Sequence, residues 1–127
     1  MSTQKTGRLG EKFAARFLSE CNYRIDFVNY RNQFGEIDII ARKDQYIVFV
    51  EVKTRSLGAL SSPAEAVNLK KQERLIKTAV EYLTQNCISL QPRFDVIEIV
   101  TNENTSEVKK LNHIENAFYQ EGEYAVF

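Results

Sequence analysis

Leu9, Phe13, Ala14, Phe17, Leu18 and Cys21 recur at three- and four-residue intervals, with Arg8, Lys12, Arg16 and Glu20 largely outside that stripe. The spacing predicts a first helix from about Gly7 to Cys21. Gly10 falls near the middle of the apolar face, where a missing side chain would let the helix approach a sheet closely. Glu11 lies at the edge of the same face, beside Leu18, and can look inward. Asn22 tolerates the left-handed backbone that closes helices and is expected to stop this one.

Three runs rich in Ile, Val, Phe and Tyr follow: Tyr23 to Tyr30, Glu36 to Ala41, and Tyr46 to Lys53. They read as strands. The connections between them, Arg31 to Gly35 and Arg42 to Gln45, are short and favour an antiparallel meander. Leu57 to Ser62 reads as a loop. Ser62, Pro63 and Glu65 then form a capping box with proline at the first helical position. The helix that follows is expected to reach about Asn86 on Ala66, Val67, Leu69, Leu75, Ile76, Ala79, Val80 and Leu83. A fourth strand, Phe94 to Val100, comes after Pro92, and an extended stretch from Glu107 to Ile114 closes the sheet. The order predicts an α/β (α+β) sandwich around a mixed sheet. The helix between the third and fourth strands lets those two run parallel through a right-handed crossover. A single domain is expected over residues 7–118, with flexible tails at 1–6 and 119–127.

Composition narrows the chemistry. Hydrophobic residues make up 43% and charged residues 27% of the 127 positions, an ordinary globular balance. The longest apolar runs are too short to cross a bilayer, and the first six residues lack the apolar stretch of a signal peptide, so a cytoplasmic protein without membrane attachment is expected. One histidine and two scattered cysteines argue against zinc and against hydrolases that need an imidazole base. Cys21 and Cys87 are read as half-buried thiols. Formal net charge is zero, yet residues 1–94 hold 15 Lys/Arg against 10 Asp/Glu, and residues 95–127 hold 2 against 7. A basic body with an acidic end can still present one face to phosphate.

The informative segments are Gly35-Glu36-Ile37-Asp38-Ile39-Ile40 and Val50-Glu51-Val52-Lys53. Alternation puts Glu36 with Asp38, and Glu51 with Lys53, on one face of their strands. A four-residue loop at Arg42 to Gln45 would set Ala41 opposite Tyr46, pairing Glu36 with Glu51 and Asp38 with Phe49. Asp38 and Glu51 would then be diagonal neighbours about 7–8 Å apart at Cα, able to share a divalent cation. Beside Ile40, Ile47 and Phe49 such carboxylates are only partly solvated and repel one another unless a cation joins them or one is protonated. Any metal should be a hard, oxygen-liking ion, Mg2+ or Mn2+. Glu-x-Lys alone on a strand is usually a solvated ion pair; it is the combination on adjacent strands, after a helix carrying an edge glutamate, that points to a metal site.

The order of elements and the Asp-(x)12-Glu-x-Lys pattern resemble the PD-(D/E)xK nuclease superfamily, with its restriction-endonuclease-like α-β-β-β-α-β core. More closely, the chain resembles the YraN family of bacterial proteins. That likeness is carried by Gly10-Glu11 with Ala14 and Leu18, Asn29-x-Arg31, Gly35 to Ala41, Val48 to Lys53 with Arg55, Pro63-x-Glu65-Ala66-Val67, Lys70, Ala79-x-x-Tyr82-Leu83, Arg93 to Val96 and His113 to Phe118. Asn22 stands where the family usually has glycine, in the same backbone role. The family is in turn similar to archaeal Holliday-junction resolvases. The resemblance implies a metal-dependent endonuclease, structure-selective on junction-like DNA, with DNA ahead of RNA as partner and a homodimer by analogy with the resolvases. It implies Asp38 and Glu51 as metal ligands, Lys53 as the group that orients or deprotonates water, Glu11 supporting the metal and Glu36 joining it. Arg55, Lys70, Arg31 and Arg8 are candidate phosphate contacts. Asp95 is expected to pair with a nearby base and so fix the fourth strand, His113 to be structural, and Tyr23, Phe27 and Tyr30 to be core or edge residues. The competing expectation is a non-catalytic nucleic-acid-binding or scaffold module that keeps the nuclease fold.

Overall fold

The structure is a computed structural model that describes residues 3–57, 68–105 and 107–118. Its elements are α1 (Thr3–Glu20), β1 (Arg24–Asn32), β2 (Gly35–Lys43), β3 (Tyr46–Ser56), α2 (Leu69–Gln85), β4 (Gln91–Thr101) and β5 (Val108–Phe118). They build one five-stranded sheet in the order β1-β2-β3-β4-β5. The β1–β2, β2–β3 and β4–β5 pairs are antiparallel, and β3 and β4 run parallel without a break from Tyr46↔Gln91 to Ser56↔Thr101. The mixed sheet and its helix crossover are therefore as the pattern predicts. Among the described residues no helix is long and apolar enough to cross a membrane.

The two helices cover opposite faces because the sheet alternates. Ile40, Ile47, Phe49, Phe94 and Val96 pack with Leu75, Ile76, Ala79 and Tyr82 of α2. Ile39, Ala41, Val48, Val50, Ile97 and Ile99 pack with Ala14 and Leu18 of α1. Each fully buried aliphatic side chain contributes about 1.5–3 kcal/mol, and both faces of the central strands are dry, so register is strongly enforced.

The strands run one to four residues beyond most of the expected bounds, β3 to Ser56 and β4 from Gln91, and other boundaries differ as well. α1 begins at Thr3 rather than Gly7. α2 is capped by Asn68, whose side chain accepts from the Lys71 N–H; the expected capping box at Ser62, Pro63 and Glu65 lies outside the described residues. β5 runs to Phe118, forming a full edge strand. The β2–β3 turn is Asp44-Gln45 alone, closed by Lys43↔Tyr46, because Asp44 takes the left-handed conformation (φ 54) that two-residue hairpin turns require. The register consequently moves by two residues from the one expected, so Phe49 faces Ile40 rather than Asp38.

Asn22 is left-handed (φ 69) at the end of α1, as its side chain suggested. Gly10 is buried where α1 meets the sheet: a Cβ there would collide with the Thr54 hydroxyl and lie 3.7 Å from Ile99 Cδ1. That hydroxyl is buried and has no hydrogen-bond partner among the described residues. Gly10→Ala should therefore destabilise the fold by about 1–3 kcal/mol through overpacking. Adding Thr54→Ala should recover most of the loss, a coupling readable by urea denaturation of the single and double variants.

Candidate active site

β2 and β3 are not paired over the first residues of β2. Their last backbone partners are Ile39↔Val50, and the next free N–H on β3, that of Val52, donates to the Asp38 carboxylate at 2.7 Å. On the other side, the β1–β2 ladder passes from Val28↔Ile39 to Tyr30↔Ile37, over Asn29, whose backbone is left-handed (φ 59). Ile37 and Ile40, three apart, both enter the α2-side core, so strict alternation lapses around Asp38. The splayed strands open a cleft of about 380 Å3 between the β1–β2 turn and the start of α2. Asp38, Glu51, Lys71 and Arg74 line it, with Arg31, Phe34 and Glu36 at the turn.

Glu51 is only 8% exposed. Its Oε1 receives Lys71 Nζ at 2.8 Å and Lys53 Nζ at 3.3 Å. Burial, then the neighbouring charge of Glu51 and more weakly that of Glu11, push the Asp38 carboxyl up from 3.8 to about 7, against the Val52 N–H and Lys53, which favour its charged form. Lys53 is lowered by burial and by the Lys71 ammonium beside it, outweighing Glu51. Lys71 is raised: burial opposes its charge, and the contact with Glu51 prevails. The site thus pairs a buried carboxylate, Glu51, clamped by two ammonium groups, with a half-buried one, Asp38, whose carboxyl is raised to about 7.

Sequence comparison places this arrangement. The profile of the uncharacterised protein family UPF0102 matches residues 10–99, a span that includes Glu11, Asp38, Glu51, Lys53 and Lys71. The chain belongs to this family. A UPF0102 protein of Alkaliphilus oremlandii (strain OhILAs) is 48% identical over 118 residues, covering 91% of this chain and 98% of the relative. Similar proteins of Caldanaerobacter subterraneus subsp. tengcongensis and Clostridioides difficile (strain 630) are 43% and 42% identical over 119 residues, each covering 93% of this chain and 98% and 100% of the relative. Family membership, the same group as the YraN resemblance, and the α-β-β-β-α-β order together make the UPF0102 chain a member of the PD-(D/E)xK-like superfamily.

Of the residues singled out from sequence, the fold brings Asp38, Glu51 and Lys53 together and sets Glu11 near enough to act on Asp38. Glu36 faces outward at the cleft rim, its Oε2 bonded to Arg31 at 2.9 Å. Among the described residues no three His, Cys, Asp or Glu side chains are grouped as a metal cluster. Arg55 is bonded to the buried Glu98 at 2.6 Å, which ties it to β4. Arg8 and Lys70 are exposed and outside the cleft lining. The cations that do line it are Arg31, Lys71 and Arg74. Lys71 and Arg74 were legible in principle: with Leu75 and Thr78 they fall at i, i+3, i+4 and i+7, the inward stripe of a helix capped at Asn68.

His113 and Asp95 belong to the opposite face. Asp95 receives Arg93 through both oxygens (2.9 and 2.8 Å) and the Asn116 N–H (2.9 Å), and its Oδ2 lies 2.7 Å from His113 Nε2. Burial alone would raise this carboxyl; the contacts from His113, Arg93 and Asn116 overcome it and hold it below the usual range. Both cysteines are free thiols, Cys87 being exposed rather than half-buried.

Asp38 should leave a signature in stability. Its folded carboxyl keeps a proton to higher pH than its unfolded one, so its contribution is full below about pH 4 and lost as pH rises through about 7. In chelator-containing buffer, Asp38→Asn, which keeps the acceptor for Val52, should be more stable than wild type at pH 8 by roughly 1–3 kcal/mol. The gap should close towards pH 4. Urea melts at several pH values check this; a gap independent of pH would remove burial as the cause.

Proposed function

We propose that this UPF0102 protein is a metal-dependent phosphodiesterase acting on nucleic acid, an endonuclease with DNA ahead of RNA as substrate. The observation that carries the reading is the pairing of half-buried Asp38 with buried Glu51, facing a cleft beside Lys53 and Lys71. Its donors are hard carboxylate oxygens, which suit Mg2+ or Mn2+. Burial and the charge of Glu51 raise the Asp38 carboxyl, and a divalent cation beside it would favour its charged form. Asp38 and Glu51 would hold the ion, with Glu11 contributing through its field. When bound, a divalent cation neutralises charge on the phosphate and acidifies a water molecule.

The chain's own residues then divide the remaining work. Lys53, with its ammonium lowered by burial and by Lys71, is suited to orient the attacking water and to exchange a proton with it. Lys71, which lines the cleft beside Glu51, would place its positive charge against a non-bridging phosphate oxygen. The Val52 N–H keeps Asp38 fixed throughout.

Incubation of the purified protein with Mg2+ or Mn2+ and end-labelled single-stranded, duplex, flap and four-way-junction substrates tests the reading. Cleavage is expected, reduced at least about 100-fold in Asp38→Ala, Glu51→Ala and Lys53→Met with unchanged circular dichroism. Undiminished cleavage in those variants would sink the mechanism. By calorimetry, Mn2+ binding should vanish in Glu51→Ala and tighten several-fold in Lys71→Met, where Glu51 no longer has Lys71 as an internal counter-ion. Unchanged Mn2+ affinity in Lys71→Met would separate Lys71 from the metal site.

One observation favours a second reading, a nucleic-acid-binding module without turnover: both lysines already satisfy Glu51, and no three-acid cluster forms among the described residues. Salt-sensitive binding across the same substrates with no cleavage in either metal would select it.

A further inference from the structure

We infer that the cleft receives a single unpaired nucleotide, its base stacked on Phe34 and its phosphate drawn towards Asp38 and Glu51 by Lys71 and Arg74. The inference rests on the nucleic-acid reading above and adds the class of substrate: a strand with at least one base out of the duplex.

Phe34 sits at the tip of the β1–β2 turn and lines the same cleft as the acid pair. The residue is 40% exposed. Phe27, Tyr30, Tyr82, Phe49, Phe94 and Phe118 all pack ring against ring, whereas Phe34 has no ring partner among the described residues. An aromatic face left at the rim of a charged cleft is a platform on which any base can stack.

The turn that carries it is anchored. Asn32 accepts the Phe34 N–H at 2.9 Å and donates to the Thr78 carbonyl of α2 at 3.1 Å. Gly35 lies so close to α2 that a Cβ would stand 3.0 Å from Thr78 Oγ1 and 3.2 Å from Arg74 Cγ. The aromatic wall and the cationic wall therefore keep a fixed spacing. Arg74 is exposed and has no ion pair among the described residues, so its planar guanidinium is available to a phosphate. Arg31 at the rim is already bonded to Glu36 and is the weaker candidate.

Size agrees with this occupant. A cleft of about 380 Å3 stands near the lower end of small-ligand pockets, about 300–1,000 Å3, which suits one nucleotide and not a base-paired segment. Acid at the floor, cation on one wall and an aromatic on the other match the three parts of that ligand: scissile phosphodiester, neighbouring phosphate and base.

Fluorescence anisotropy in metal-free buffer, with labelled single-stranded DNA, single-stranded RNA of the same sequence and blunt duplex DNA, tests the inference. Phe34→Ala should weaken binding to at least one single strand by about tenfold, Phe34→Tyr should retain it, and duplex affinity should stay level in all three proteins. Whichever strand loses more identifies the sugar chemistry that uses the cleft. Arg74→Ala should weaken the same strand and flatten its salt dependence. Equal single-strand affinity in Phe34→Ala and wild type, a parallel loss on duplex, or no single-strand binding by the wild type would overturn the inference. Cleavage abolished by Asp38→Ala together with an inert Phe34→Ala would discard the stacking platform and keep the nuclease. A Phe34-dependent affinity with no cleavage in any metal would do the reverse.

Discussion

The Val52 N–H has to find an acceptor, and the one it finds is a side chain. In a regular hairpin that N–H would meet a backbone carbonyl of β2, and a buried donor left unpaired would cost about 1–3 kcal/mol. Here β2 has already turned away after Ile39↔Val50, and the Asp38 carboxylate replaces the missing carbonyl at 2.7 Å. This one bond lets the sheet open without an orphaned donor. It also fixes Asp38 beside Glu51. The cleft, the burial of both acids and the approach of α2 all follow from the strands parting at that point.

Parting the strands creates an electrostatic problem that the chain solves asymmetrically. Glu51 receives two ammonium groups, from its own strand and from α2, whereas Asp38 receives a neutral N–H and the weaker field of Lys53. Burial and Glu51 therefore win at Asp38 and raise its carboxyl. The opposite face offers a control within the same molecule. Asp95 is more deeply buried than Asp38, but a bidentate arginine, an imidazole and a backbone N–H hold its carboxyl below the usual range. Asp95 is satisfied permanently and binds strands together. Asp38 has no such set of partners, and its carboxyl stays raised.

Much of this was legible in the residues, for identifiable reasons. Gly10 and Asn22 announced a close helix–sheet contact and a left-handed helix end, because few other residues serve those conformations. The dry alternation of Ile47 to Val50 set two helix-covered faces, and the helix between β3 and β4 dictated their parallel pairing. Asp38, Glu51 and Lys53 share a site because the error in register was two residues, an even number, which keeps side chains on the same face. What stayed hidden depended on contacts distant in sequence. Arg55 reads as a free cation until Glu98, 43 positions away, captures it. His113 reads as partnerless until β5 pairs with β4 and sets it against Asp95. Lys71 was masked by its neighbour Lys70, since adjacent helical residues point about 100° apart and only the true phase distinguishes them.

The same phase explains why α2 matters more to the site than its sequence suggests. Leu75, Ile76, Ala79 and Tyr82 are held by the core, so the rotation of α2 is fixed by apolar packing several residues from the chemistry. Given that rotation, Lys71 and Arg74 fall on the side towards the cleft, and Gly35 lets the β1–β2 turn lie against them. A bulkier residue at position 35 would push that turn, with Phe34 and Glu36, off the helix while leaving the acids in place. The cleft is therefore assembled from two parts of different origin. Its floor comes from the opening of the sheet at Asp38, and its walls come from how closely a turn and a helix can approach.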